Sequence, residues 1–397
     1  MKKYLNYILT GIKILAGWLY IYKSESSSII KNSYTKTMLA VGLLVLIGWA
    51  CKDKSQVTIP QANVRVGAYY FDGWAGVNAK ATNPMEPWAK TAPTHLTRRF
   101  VEEFPDRQPV WGWRDDAQSI MERQIDLAAD NGIEFFIFCW YWKDDKGAFN
   151  RSSVENLAEH TSLNLYMNAK NKNRIKFSLL IANHKGSEIV GPDNWDKATQ
   201  YWMKYLKDPQ FVKLDSKPLV VIFSTSGIDS AGLARMQDVS KRAGLPGLSI
   251  AGCGNTTGKA FTHKTHYNIV PGYSSGSEEH SYSELVDAHK IQWSGTAVQP
   301  YIPELTVGWD KRPWEGSNGL NTTPAGWYYP NRTPELFKSF LKDAITWMDT
   351  NPTLTAKERF VFVYAWNELG EGGYLLPTIG DPEASYLNVI KNVVAGK

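Results

Sequence analysis

Two glutamates three residues apart, Glu368 and Glu371, lie in the stretch 361–377 (VFVYAWNELGEGGYLLP), where an apolar run gives way to a glycine-rich loop that cannot continue a strand. Paired carboxyls suit cleavage of a glycosidic bond, which needs one acid kept protonated to release the leaving oxygen and one ionised group to help displace it. Glu-x-x-Glu by itself is a weak signal, because most such pairs sit on solvated loops. Position strengthens this one: Trp366 and Asn367 precede it, Tyr374 follows, and other strand-like runs end in residues able to touch a polar ligand. These substrate-binding candidates are Tyr70, Asp72 and Trp74; Trp142; Asn183 and His184; Tyr273; and Trp309, Asp310 and Arg312. The 16 Trp, 20 Tyr and 15 Phe of the chain suit surfaces that stack on sugar rings. His263 and His266 are spaced His-x-x-His with no third ligand near them in sequence, so no metal is expected. No Walker sequence occurs and no Gly-x-Gly-x-x-Gly follows the first strand, so no cofactor is expected either.

Such a constellation needs a frame that gathers distant residues at one end. From Val64 onward, short runs rich in Val, Ile, Phe and Tyr alternate with runs of helical period, the pattern of a parallel sheet with crossover helices. The expected strands are Val64–Phe71, Ile133–Tyr141, Ile175–Ala182, Pro218–Ser224, Leu248–Gly252, Tyr267–Pro271, Tyr301–Val307 and Arg359–Trp366. Helices are expected at Asp115–Asn131, Val154–Lys172, Asn194–Lys207, Ser230–Ala243, Ser283–Trp293, Glu335–Thr350 and Glu383–Val394; only the fifth unit, Asn255–His266, lacks one. Eight such units predict an α/β fold, a (β/α)8 TIM barrel forming a single catalytic domain over 64–397, with the site at the C-terminal strand ends. An open doubly wound sheet is the alternative architecture. Two long loops, 72–114 after the first strand and 308–333 after the seventh, carry Trp88, Trp111, Trp113, Trp314, Trp327, Tyr328 and Tyr329, and read as walls of a sugar cleft.

Residues 1–51 hold six lysines against Glu25 and so carry the whole net charge of +5. The neutral remainder offers no footprint for nucleic acid. Met38–Ala50 is an uncharged apolar run of signal-peptide length, preceded by Lys31 and Lys36 and ending directly before Cys51. The expectation is a leader over 1–51, lipidation at Cys51, a tether over 52–63, and an exported bacterial lipoprotein held at a membrane. Gly48 and Trp49 depart from the usual residues before such a cysteine, which leaves an uncleaved membrane segment as the alternative. Cys139 and Cys253 lie in strand-like runs and read as buried thiols rather than a disulfide. No obligatory protein partner is evident.

The block Trp366-Asn367-Glu368-x-x-Glu371-Gly372, with Tyr374 and Pro377, resembles the terminal motif of glycoside hydrolase family 99 and of the related WbsX-like proteins. Gly67–Trp74 (GAYYFDGW), Gly132–Trp142 (GIEFFIFCWYW) and Thr306–Arg312 (TVGWDKR) are similar, in order, to that family's first, second and seventh strand segments, so the resemblance spans most of residues 64–390. It implies a (β/α)8 barrel cleaving α-mannosidic linkages with retention and without a metal, with Glu368 as base and Glu371 as acid/base. It further implies that the base deprotonates the sugar's own 2-hydroxyl, which closes on C1 to a 1,2-anhydro intermediate. That geometry admits 1,2-trans linkages such as α-mannosides and α-rhamnosides in a polysaccharide or oligosaccharide. Leu369 and Gly370 stand where the family has a Trp and, in the mannosidases, a His, and Leu376 where an acidic residue often precedes the Pro. These departures bear on substrate identity more than on reaction type. Two other functions fit the motif: a WbsX-like glycosyltransferase, and a non-catalytic carbohydrate-binding lipoprotein.

Overall fold

A computed structural model describes residues 64–76 and 92–396, except 143, 146–147, 150, 229, 294, 296–298 and 316–325. The leader with Cys51, the tether over 52–63 and Trp88 lie outside the described residues.

Eight parallel strands form the core: β1 (Arg65–Tyr70), β2 (Ile133–Trp140), β3 (Lys176–Ile181), β4 (Lys217–Ile222), β5 (Ser249–Cys253), β6 (His263–Thr265), β7 (Glu304–Thr306) and β8 (Phe360–Tyr364). They pair in the order β7-β8-β1-β2-β3-β4-β5-β6. A parallel bridge from Lys264 to Tyr301, with Ile302 N donating to Lys264 O at 2.9 Å, joins β6 to the approach to β7 and nearly closes the ring. The expected (β/α)8 barrel is the observed fold. Between the strands run α1 (Gln118–Asp130), α2 (Thr161–Asn168), α3 (Pro192–Leu206), α4 (Ser230–Arg242), α5 (Tyr282–Trp293) and α6 (Pro334–Thr350), and α7 (Ser385–Val394) follows β8. No helix separates β5 from β6. Among the described residues no helix is long and apolar enough to cross a membrane.

The strands are buried on both faces, and the pleat sorts their side chains into two cores. Tyr69, Phe135, Ile137, Cys139, Leu219, Val221, Phe360, Phe362 and Tyr364 fill the barrel, while Tyr70, Phe136, Phe138, Trp140, Val220, Ile222, Val361 and Val363 meet the helices. Helix α1 buries Met121, Gln124, Ile125 and Ala128, a spacing that keeps one face on the sheet. Helix α6 starts cleanly because Thr333 Oγ1 accepts from Leu336 N and Pro334 occupies the first turn, where a missing N–H costs nothing.

One strand differs from expectation. The sixth strand is His263–Thr265 rather than Tyr267–Pro271. Its three residues are too short and too polar to carry an apolar signal, whereas Tyr267 and Val270 just beyond it are apolar because they line a cavity. Cys139 and Cys253 are buried free thiols.

Candidate active site

Where the chain leaves β8, the motif residues separate into anchors and reactive groups. Trp366 turns toward the helices and donates its indole N–H to Gln124 Oε1 of α1 at 2.6 Å. Asn367, fully buried, clamps the end of β1: its Oδ1 accepts from Phe71 N and its Nδ2 donates to Phe71 O, both at 2.7 Å. Its carbonyl accepts from Trp74 Nε1 at 2.7 Å. A short antiparallel pairing of Asn367–Glu368 with Gly373–Tyr374 then folds the loop back, so that Glu368 and Glu371 face one cavity. Glycine makes the return fit: a Cβ on Gly373 would lie 2.2 Å from a ring carbon of Tyr364, and one on Gly370 would lie 2.1 Å from two ring carbons of Trp314.

The cavity, about 430 Å³, opens at the C-terminal ends of the strands. Phe71, Tyr141, His184, Phe223, Tyr273, Trp309 and Trp314 wall it, and Cys139, Tyr267 and Asn268 lie at its depth with the two glutamates. Tyr267 donates its hydroxyl to Glu368 Oε1, and Tyr364 donates to Glu371 Oε2. The two tyrosine rings meet edge to face, 5.0 Å between centroids, which fixes the donors relative to each other. Glu368 Oε2 and Asn268 Nδ2 are buried and have no hydrogen-bond partner among the described residues. His289 holds the other side of the Asn268 amide, its Nε2 lying 3.1 Å from Asn268 Oδ1.

Burial dominates the electrostatics. It pushes Glu371 up to about 7, opposed by the Tyr364 hydroxyl and by the charge of Lys311. Burial and then the Glu371 charge raise Glu368 well above the carboxylate range, opposed by Tyr267. Two buried carboxyls that feel each other cannot both ionise readily, so over a wide pH range the pair holds one proton.

Of the residues singled out from sequence, Glu368, Glu371, His184, Tyr273 and Trp309 line this cavity. Ten others do not, and the reasons are local. Tyr70 points outward by pleat parity and donates to Asp115 Oδ2 at 2.9 Å. Asp72, 1% exposed and pushed well above the usual carboxylate range chiefly by burial, accepts from Ser162 N. Trp74 packs against Phe100 and Trp113, Trp142 is buried, and Trp366 and Asn367 are the anchors described above. Asn183 braces the loop after β3, donating to Ser224 O and accepting from Ile189 N. Asp310, Arg312 and Tyr374 lie beside the cleft: Asp310 binds Arg107 and Arg312, and Asp310 and Tyr374 border a separate, smaller cavity. Trp314, expected as a cleft wall, is one, whereas sequence reasoning missed Tyr141, Tyr267, Asn268 and Tyr364 as site residues. Tyr364 and Tyr141 carried a usable signal, since alternation along β2 and β8 turns both inward.

Two buried carboxyls thus stand at the C-terminal mouth of a (β/α)8 barrel, where this fold places its sites. The profile of the family described as Glycosyltransferase WbsX matches residues 111–390, and the chain belongs to that family. Among solved structures, the family 99 endo-α-mannosidase of Bacteroides thetaiotaomicron, in a complex with bis-tris-propane, is 17% identical with a TM-score of 0.54, over 83% of this chain and 96% of that one. A protein described as glycoside hydrolase-like is 16% identical with a TM-score of 0.55, over 83% of this chain and 93% of that one. These likenesses establish a shared barrel fold. No curated protein matches the chain.

Proposed function

We propose that this protein is a retaining glycoside hydrolase acting on 1,2-trans linkages, of the α-mannoside or α-rhamnoside type, in a polysaccharide or oligosaccharide. The observation carrying this reading is the buried pair Glu368 and Glu371, each held by its own tyrosine hydroxyl and both facing an aromatic-walled cleft. The family description raises transfer from a sugar nucleotide as a second reading. Against it, the described lining of the cleft contains two glutamates and no arginine or lysine, a poor match for a diphosphate.

In this reading Glu368 is the base. Its ionised form takes the proton of the sugar 2-hydroxyl, and O2 attacks C1 from the face opposite the departing oxygen. The C1–O bond breaks as Glu371 gives its proton to the leaving oxygen. In the second half, Glu371 accepts a proton from water, the hydroxide oxygen bonds to C1, the C1–O2 bond opens, and O2 recovers its proton from Glu368. Burial serves both roles, since a desolvated carboxylate is a stronger base and a desolvated carboxylic acid stays protonated near neutral pH. Glu368 is raised as well, and the working state is the one in which the shared proton sits on Glu371.

Glu371→Gln should still form the intermediate from an activated aryl glycoside while losing hydrolysis of the natural linkage, and Glu368→Gln should lose both. A 2-deoxy substrate should be inert. Turnover of that substrate, or equal damage from both variants on the aryl glycoside, would favour direct attack by a carboxylate. A panel of mannans, rhamnose-containing polysaccharides and sugar nucleotides separates hydrolase, transferase and non-catalytic binder. Export as a lipoprotein anchored through Cys51 is proposed from the apolar run 38–50 that ends at Ala50. A Cys51→Ala variant should lose lipid labelling, and unchanged labelling would end that proposal.

A further inference from the structure

Beside the cleft, on the far side of Trp309, lies a second cavity of about 180 Å³, lined among others by Arg107, Asp310, Arg332, Gly372 and Tyr374. Trp309 borders both cavities, and Gly372 directly follows Glu371 in the chain. The smaller cavity is rich in cationic groups. Arg107 and Arg332 line it, and Arg312 beside it shares the Asp310 carboxylate with Arg107. Both Asp310 oxygens are engaged: Oδ2 receives Arg107 Nη2 at 2.5 Å and Arg312 Nη2 at 2.9 Å, and Oδ1 receives Arg312 Nε at 2.8 Å. Arg107 also donates to the carbonyls of Asp310 and Leu369, and Arg312 lies over the ring of Tyr328 at 3.7 Å.

Arg332 is the cation without a carboxylate. Its guanidinium lies 4.3 Å from the centroid of the Tyr374 ring and 4.9 Å from that of Tyr386, and its one hydrogen bond among the described residues is from Nη1 to Val307 O at 3.3 Å. Among the described residues it makes no salt bridge. Asp381 lies within its electrostatic reach, but the Asp381 oxygens accept from Ser385 N at 2.8 Å and Ser385 Oγ at 2.7 Å. A guanidinium has five donors in a planar fork suited to a two-oxygen acceptor, and here most of that fork is unengaged at the edge of a cavity. The cavity is several times the roughly 30 Å³ share of one liquid water, enough for a charged substituent and part of the ring that bears it.

The geometry points to an anion subsite at Arg332 that receives a charged substituent, a carboxylate or a sulfate ester, on a sugar next to the one held in the main cleft. Its identity as a sugar subsite rests on the main cleft being the glycan site; its binding of an anion does not. The substrate class narrows accordingly to acidic glycans.

The test is titration calorimetry of the full chain with D-glucuronate, glucose 6-sulfate and, as the neutral match, glucose. The anionic sugars should bind in a salt-sensitive manner and glucose should not; whichever anionic sugar binds tighter names the substituent. Arg332→Met should weaken the anionic sugars by roughly tenfold or more, as loss of a charged hydrogen-bond donor implies, and Arg332→Lys should restore part of the affinity. Equal binding of charged and neutral sugars, or undiminished binding by a folded Arg332→Met protein, would overturn the subsite. Should that variant fail to fold, phenylglyoxal modification of the wild-type chain decides: the peptide containing Arg332 should be protected by the anionic sugars and not by glucose, and absence of protection overturns the proposal. Anion binding that persists alongside inertness toward every glycan would count against the hydrolase reading and not against the subsite.

Discussion

Replacing Tyr364 and Tyr267 separately by Phe asks which glutamate is the acid. Each substitution keeps the ring and its edge-to-face contact and removes one hydroxyl, the donor to Glu371 or the donor to Glu368. A hydrogen bond to a charged group contributes about 1.5–3 kcal/mol, and about 1.4 kcal/mol is one pH unit, so each loss should raise its carboxyl by about one to two units. Burial has already lifted both, Glu371 to about 7, and between its two titration steps the pair holds one proton. Tyr364→Phe draws that proton onto Glu371 and leaves Glu368 ionised, the productive arrangement. Tyr267→Phe draws it onto Glu368, the unproductive one. On the pH plateau, kcat/KM for a natural-linkage substrate should therefore favour Tyr364→Phe over Tyr267→Phe by about tenfold or more. Wild-type activity should rise as the first proton leaves the pair, near 7, and Tyr364→Phe should move that limb upward. A more active Tyr267→Phe protein would exchange the two roles, and equal plateaus would refute control of the proton by these hydroxyls.

Three further outcomes follow from the same geometry. Because folding raises Glu371 from its ordinary 4.5 to about 7, the native state holds a proton there that the unfolded chain releases; its contribution to stability is complete below 4.5 and is lost as pH rises through 7. Glu371→Gln should accordingly unfold at higher temperature than wild type above neutrality, by up to about 3 kcal/mol of stability, and nearly match it in acid, as thermal melts at both pH values will read. Gly370→Ala must displace the Trp314 ring and strain its 3.0 Å bond to His95 O; overpacking of this kind costs about 1–3 kcal/mol, measured by urea unfolding, and should raise KM because Trp314 lines the cleft. Asn367→Ala leaves the N–H and C=O of Phe71 without their buried partner, and should cost about 2–4 kcal/mol in the same assay while lowering kcat through the loosened Glu368 loop.

Much of the frame is written in local pattern. The apolar runs at 64–71, 133–141, 175–182 and 218–224 and the helical periods between them are properties of neighbouring residues, and each became the corresponding barrel unit because burial on both faces demands continuous Val, Ile and Phe. The missing helix of the fifth unit was legible for the same reason. The Glu368–Glu371 pair was legible too, since a glycine-rich loop after a strand must turn at the barrel mouth.

Which neighbours the pair would have was not legible. Trp366, Asn367 and Glu368 are consecutive and equally polar or aromatic to the eye, yet one meets a helix, one ties two strand ends and one enters the cleft. Pleat parity and the return of the Gly373–Tyr374 segment make that division, and both depend on how β8 sits beside β1. The donor to Glu368 is Tyr267, 101 residues away and just beyond a sixth strand too short and polar to announce itself. The Arg332 cavity likewise gathers residues from loops far apart in the chain. Local sequence determines which segments bury their side chains, because that follows from composition and period; the partners of a buried polar group are set by barrel closure, which brings remote strand ends within a hydrogen bond of one another.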